Sequence, residues 1–412
     1  MGGNANFGII VDFVVLSTIV LALRAIFPRA ITVYVSIAVI GAYAIYSVAP
    51  RMLPAYLFFW VIIYLFQWSM HLAATRLNGW VSRILTTVVI LATLSPMVIW
   101  KFWQGPFMDW FSRTFALLLW HTFPQVIAAD AIASILAPIG LSFMIFRALD
   151  LLIKVRLGLL KPIAPLELLY YAFFAPVLAV GPIIEYEEVR LPRKLSRLPA
   201  PGDVAVGVFR ISLGVSKVMI LAALLSRGAD AFWKGGQTGF VGAWAALWLF
   251  ALYFYINFSG YSDMAIGASR IHGIKLKENF NNPFLKTNPQ AFWAAWHMSL
   301  TRWVQRYVFI PLGGMRKNKQ YFAAFMTIMA IAFWHGISYN MLIFGLYQGG
   351  MVVAHRWLLN RRLASHTQEN KTLPVSAFKS FGIFTSQALA FPLLTIPLSD
   401  IPSFYAHLIP GM

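Results

Sequence analysis

Apolar residues run along this chain in blocks of about twenty, joined by short segments rich in proline, glycine and basic residues. A helix rises about 1.5 Å per residue, so a block of that length crosses the roughly 30 Å hydrocarbon layer of a bilayer. The blocks fall at 7–26, 30–49, 53–72, 83–103, 131–153, 165–184, 205–226, 239–258, 320–337, 340–358 and 378–397. The pattern predicts an all-α integral membrane protein with about eleven transmembrane helices. A last apolar piece, Ile401 to Ile409, is too short to span. No internal repeat is visible, which argues against the inverted-repeat architecture of many transporters. The first block follows no basic stretch and precedes no clear small-residue cleavage site, so a retained first span is expected.

One stretch breaks the rhythm. From Ser259 to Tyr321 the chain mixes Gly, Pro, Asn and charge with Phe and Trp, although it sits between two good spans. Irregular backbone survives at membrane depth only inside protein or along an aqueous cavity, and plain loops of this length are uncommon unless functional. Short helices dipping partway into the membrane from the cytoplasmic side are expected here. The whole is read as one membrane domain. It has N-terminal spans over 1–130, a core over 131–358 containing the re-entrant region 259–321, and a C-terminal span within 359–412.

Composition fixes the solvent. Hydrophobic residues make up 59% of the 412 positions and charged residues 11%, against about a quarter charged in soluble domains. Lys and Arg number 33 against 14 Asp and Glu, a net charge of +19. The basic residues gather in four places: Lys154, Arg156 and Lys161; Arg190, Arg193, Lys194 and Arg197; Lys275 to Lys319; and Arg356, Arg361 and Arg362. The positive-inside rule puts all four in the cytoplasm, facing an anionic leaflet. Membrane lipids are therefore the expected partner of this charge, and nucleic acid is not, since no basic face is interleaved with exposed aromatics. The absence of cysteine excludes disulfides, thiolate metal sites and thiol nucleophiles. HExxH, GxSxG and Walker A motifs are also missing, and neither a metal nor a bound cofactor is expected.

Two histidines stand out. His335, in Phe333-Trp334-His335-Gly336, closes an otherwise apolar span. Ionisable groups inside membranes are expensive and usually functional, and imidazole accepts a proton near neutral pH. The plain alternative is a histidine bonded to a neighbouring helix. His297 follows Trp293 and Trp296, whose helical spacing also suits an interfacial aromatic belt with a bystander histidine. Asn257, Ser259 and Asp263 either form a polar pocket wall or mark a helix that stops at Gly260, with Asp263 lacking an evident counter-charge. Gly181-Pro182 reads most simply as a helix stop before Glu185, Glu187 and Glu188.

Taken together these segments resemble the bacterial branch of the membrane-bound O-acyltransferase family. The resemblance is carried by Phe258-Ser259-Gly260-Tyr261-Ser262-Asp263-Met264-Ala265-Ile266-Gly267, Glu278-Asn279-Phe280-Asn281 with Pro283-Phe284, and Phe292-Trp293. It continues through Trp296-His297, Ser299-Leu300, Tyr307 to Gly314 and Trp334-His335-Gly336. It implies that His335 is the essential membrane-embedded histidine and His297 a second functional one. It also implies a funnel-shaped fold whose re-entrant helices meet at a tunnel joining the two sides. Family members take an acyl group from a thioester and place it on a hydroxyl. Two positions depart from the family pattern: Gln305-Arg306, where an Arg-Asp pair is frequent, and Arg147, where a glutamine is common.

The resulting expectation is an enzyme moving an acyl group, acetyl first, onto a hydroxyl of an exported cell-envelope polysaccharide in the bacterial cytoplasmic (inner) membrane. His335 and His297 are the candidate catalytic residues. Asn257, Ser259, Asp263, Trp296 and Trp334 are candidate substrate contacts. Lys275, Lys277, Arg302 and Arg306 suit the phosphates of acyl-CoA or an acidic acyl carrier protein on the cytoplasmic side. An extracytoplasmic acyltransferase or acceptor-binding protein is the expected partner. D-alanyl transfer to a teichoic-acid-like polymer, acyl transfer to a lipid, and a transporter or export pore without chemistry stand as alternatives.

Overall fold

A computed structural model describes residues 18–48, 50, 52–103, 140–178, 180–192, 198–234, 239–364 and 373–410. Among these residues the chain is helical, with no β-sheet. The helices are α1 (Ala30–Val48), α2 (Met52–Thr75), α3 (Gly79–Trp103), α4 (Leu141–Arg156), α5 (Pro165–Ala172) and α6 (Tyr186–Val189). Next, α7 (Pro201–Ser216) opens into a wide π turn, Lys217–Ala222, and resumes as α8 (Ala223–Lys234). After α9 (Phe240–Ile271) come α10 (Pro289–Ala295), α11 (Met298–Val304), α12 (Gln320–His335), α13 (Tyr339–Ala364), α14 (Leu373–Ala390) and α15 (Ile401–Ala406).

Five stretches are long and apolar enough to cross a membrane: Ala30–Ser47, Met52–Thr75, Gly79–Ile99, Pro201–Ala231 and Phe240–Ile271. Their faces are inverted relative to a water-soluble helix. On α2, Phe58, Val61, Leu65, Trp68 and Leu72 point outward, whereas the polar Gln67 is fully buried. Its amide pairs with both backbone groups of Ile163, at 3.0 and 2.9 Å. Apolar outside and paired polar inside is the pattern lipid selects.

Several expected spans come out differently. The block at 165–184 is no span, because Pro165 starts an eight-residue helix that ends before Pro176 and Gly181-Pro182 can be accommodated. The block at 239–258 is too short as read: α9 passes through Gly260 and runs 32 residues, so 259–271 belongs to a continuous helix. The irregular stretch expected from Ser259 begins instead at His272, and from there to Lys319 only short helices and turns occur. The first seventeen residues, 131–139 of another block, and Arg193, Lys194 and Arg197 lie outside the described residues.

The chain divides into two compact units, Met1–Ile211 with Met264–Leu276, and Ser212–Asp263 with Lys277–Met412. In the first, Arg147 is buried on α4 and donates from Nη1 and Nη2 to the carbonyls of Tyr171 and Ala172, at 2.9 and 3.2 Å. It thus caps the last turn of α5, where carbonyl dipoles favour a cation, with its guanidinium 5.6 Å from the Tyr171 ring and 5.8 Å from Trp60. Lys154 is not a free cytoplasmic charge: its ammonium bridges Asp150, Glu185 and Glu187 at 2.9, 2.6 and 2.8 Å. In the second unit α12 and α13 form an antiparallel pair, with His335 at the end of α12 and His297 among the short helices between α9 and α12.

Candidate functional site

The turn that carries His297 is built from its neighbours. Asn288 caps α10 by accepting from the backbone of Ala291 at 2.8 Å, and Pro289 supplies the preset first helical position. The helix stops at Ala295, Trp296 is extended, and His297 adopts a left-handed conformation (φ 44°, ψ 54°) before α11 begins. A non-glycine residue there costs about 1 kcal/mol or more, and such strain collects at functional sites. The extended segment after α9 holds the turn: Met298 N–H donates to the Asn279 carbonyl at 2.8 Å, and Asn281 N–H to that of Ala295 at 3.0 Å.

His335 is the last residue of α12, and Gly336 behind it ends the helix. The sequence suggested a buried imidazole; the structure leaves His335 exposed at the helix end, because the helix stops where the glycine leaves the terminus open. His297 is the buried one, 3% exposed. Trp334 contacts both, its ring 6.0 Å from that of His297 and 4.5 Å from that of His335. Phe258 closes the far side of His297 at 4.8 Å, and Phe344 approaches His335 at 6.5 Å. Burial drives the His297 pKa down to about 3, with the positive fields of His335 and Arg302 adding to the effect. At neutral pH this imidazole is uncharged and a poor base. It can still donate one N–H, while His335, whose ring also contacts Trp334, is the more exposed of the two imidazoles.

The other expected residues divide. Asp263 has a counter-charge after all: Lys217 Nζ lies 2.7 Å from its Oδ2. That lysine opens the π turn, and helices α7 and α9 approach closely there, since a Cβ on Gly260 would fall 2.9 Å from the Gly214 carbonyl and 2.7 Å from Val218. Ser259 bonds back to Ile256 within its own helix at 3.2 Å, and Asn257 is half-buried on the same helix. Trp296 is buried in an aromatic cluster, stacked on Phe292 and touching Phe280, Phe284 and Phe391. Lys277 and Arg306 are exposed, Arg306 over the Tyr307 ring at 5.8 Å, and Arg302 is half-buried on α11. Lys275 belongs to the first unit, where it and Arg270 share Asp203 at 3.3 and 3.1 Å.

Sequence reasoning gave Lys217 no role and named Asn279 only within the Glu278-Asn279-Phe280-Asn281 stretch that carries the family resemblance. Lys217 carried a usable signal, a lone cation inside an apolar block with small residues nearby on both helices. Asn279 carried none by itself, because its importance lies in contacts twenty residues away.

The model of the family described as MBOAT, membrane-bound O-acyltransferase family, matches residues 62–396. The chain is 35% identical over 193 residues to the peptidoglycan O-acetyltransferase of Helicobacter pylori, covering 46% of this chain and 36% of that one. It is 31% identical over 247 residues to the probable alginate O-acetylase of Pseudomonas putida, covering 58% and 49%. It is 28% identical over 281 residues to the teichoic acid D-alanyltransferase of Bacillus subtilis, covering 65% and 67%. The chain thus spans half or less of the length of the first two relatives.

Proposed function

The chain belongs to the membrane-bound O-acyltransferase family, and from that premise we propose that it moves an acyl group, acetyl first, from a cytoplasmic thioester to a hydroxyl of an exported cell-envelope polysaccharide. The observation that carries this reading is the unlike pair of imidazoles, one buried and one exposed, that both contact Trp334. His335 takes the proton of the acceptor hydroxyl as its oxygen attacks the thioester carbonyl, an effect of roughly 10²–10⁴-fold. His297, too weak a base for that task, donates a hydrogen bond to the oxygen that gains negative charge, a further ~10²–10³-fold. When the tetrahedral intermediate collapses, the C–S bond breaks, the departing thiolate receives the proton from His335, and the ester remains on the acceptor.

Lys277, Arg302 and Arg306 supply positive charge for the phosphates of acyl-CoA or for an acidic carrier protein. The thioester is a co-substrate, and the reaction needs no resident metal or cofactor. The short helices of 283–304 are re-entrant from the cytoplasmic face of a multi-pass membrane fold. The protein sits in the bacterial inner membrane and works with an extracytoplasmic acyltransferase or acceptor-binding protein. One observation favours D-alanyl as a second reading: the D-alanyltransferase of Bacillus subtilis aligns over 65% of this chain, against 46% and 58% for the two acetylating relatives. Mass spectrometry of envelope glycans from cells with and without the protein tests both. Loss of acetyl esters supports the first, loss of D-alanyl esters the second, and unchanged glycans would refute both.

A further inference from the structure

We propose that Asn279 is a positioning residue that acts through His297, fixing the strained turn from which that imidazole donates. The inference deepens the acyl-transfer reading and rests on it. His297 is one of only two non-glycine residues with positive φ among the described residues, and no side-chain cap of its own holds the turn. The left-handed conformation needs support from elsewhere.

Asn279 supplies that support with its carbonyl and its side-chain amide. Its side chain is fully buried. Oδ1 accepts from the backbone N–H of Ser299 at 3.1 Å and from the Ser299 hydroxyl at 2.9 Å. Its own carbonyl accepts from Met298 N–H at 2.8 Å. The two residues that follow His297 are therefore both tied to Asn279. On the other side, Nδ2 donates to the Ser262 hydroxyl at 3.0 Å. Ser262 sits on α9 beside Asp263, whose pairing with Lys217 fixes that stretch of helix. The turn is thus referred through one amide to a long, ion-paired helix.

The chemistry specifies asparagine. The position needs an acceptor with two free lone pairs and a donor on one short side chain. Aspartate keeps the acceptor but cannot donate to Ser262 when ionised, and it adds a buried charge. Alanine keeps only the backbone bond. A displacement of about 1 Å in a group aimed at developing charge can cost on the order of 10²-fold in rate.

The test is a double-mutant cycle on acylation rate in cells at matched protein level, with wild type, Asn279→Ala, His297→Ala and the double variant. Asn279→Ala should slow acyl transfer on the order of 10²-fold. In the His297→Ala background it should change the rate by less than about twofold, because its effect runs through the missing imidazole. Equal losses in both backgrounds, or full activity of Asn279→Ala, would overturn the proposal.

A second readout does not depend on activity. Histidine modification by diethyl pyrocarbonate, mapped by mass spectrometry, should find His335 reactive and both His297 and His272 protected, as their burial dictates. In Asn279→Ala and in the milder Ser299→Ala, His297 should become reactive while His272 stays protected, which separates a loosened turn from global unfolding. Continued protection of His297 in both variants would sink the inference. If wild-type cells show no acyl transfer at all, the functional reading fails while this readout still decides the structural role of Asn279.

Discussion

Replacing Lys217 by methionine should be among the most damaging single changes in the second unit, and replacing Asp263 along with it should undo much of the harm. The two charges meet at 2.7 Å, with side chains 21% and 8% exposed. Lys217→Met leaves the more deeply buried carboxylate without its counter-charge, a situation that typically costs about 3–5 kcal/mol. Asp263→Asn leaves an ammonium on a flexible stem that is more exposed and can turn toward polar surroundings, so a loss of about 1–2 kcal/mol is expected. Independent sites would add; a coupled pair should not. The double variant Lys217→Met with Asp263→Asn should be more stable than Lys217→Met alone, with a coupling of roughly 2 kcal/mol or more. Thermal unfolding in detergent, followed by tryptophan fluorescence, measures this. At about 2–4 °C per kcal/mol for a unit of some 200 residues, Lys217→Met should lower the midpoint by about 6–20 °C. A midpoint shift under about 2 °C for Lys217→Met, or strictly additive losses in the double variant, would refute the idea that this pair locks α9 to the π turn.

Gly260→Ala should cost about 1–3 kcal/mol in the same assay, since the added methyl meets the Gly214 carbonyl, whereas Gly350→Ala, with open space around it, should be neutral or mildly stabilising. Single cysteines at positions 190 and 317 of this cysteine-free chain should react with an impermeant reagent only after the membrane is opened; labelling of either in intact cells would reverse the assigned orientation. The depressed His297 pKa, about 3 against an ordinary 6.5, has a signed consequence. Between those values the unfolded chain binds a proton that the folded one refuses, so stability falls as pH falls, by about 2 kcal/mol from pH 7.5 to pH 5. His297→Asn, which tolerates the left-handed turn, should flatten the pH dependence by that amount, and an unchanged slope would show that His297 is charged or exposed in the native protein.

The membrane class and most long helices were legible because the apolar blocks are set by bilayer thickness, which sequence length reports directly. The errors arose where local signals compete with packing. Gly260 reads as a breaker, yet α9 continues through it because the glycine lets α7 approach, and the close contact stabilises what the missing side chain weakens. The block at 165–184 has the hydrophobicity of a span, but its prolines and Gly181 divide it into pieces. His297 and His335 were singled out in the sequence as candidate chemistry. Which of them is buried was not legible, because burial depends on how the 279–281 segment pairs with the turn, and no periodicity in either stretch reports that.

The role proposed for the exposed imidazole at the end of α12 is that of the base. It is tested most directly by the acyl-ester content of the envelope polymer in cells carrying His335→Ala at wild-type protein level in the membrane. The account predicts that this content falls to that of cells lacking the protein, while His297→Ala keeps a small residual fraction because the attacking hydroxyl can still be deprotonated. Near-normal acylation with His335→Ala would contradict the mechanism outright and bring the reading as an export pore without chemistry to the front.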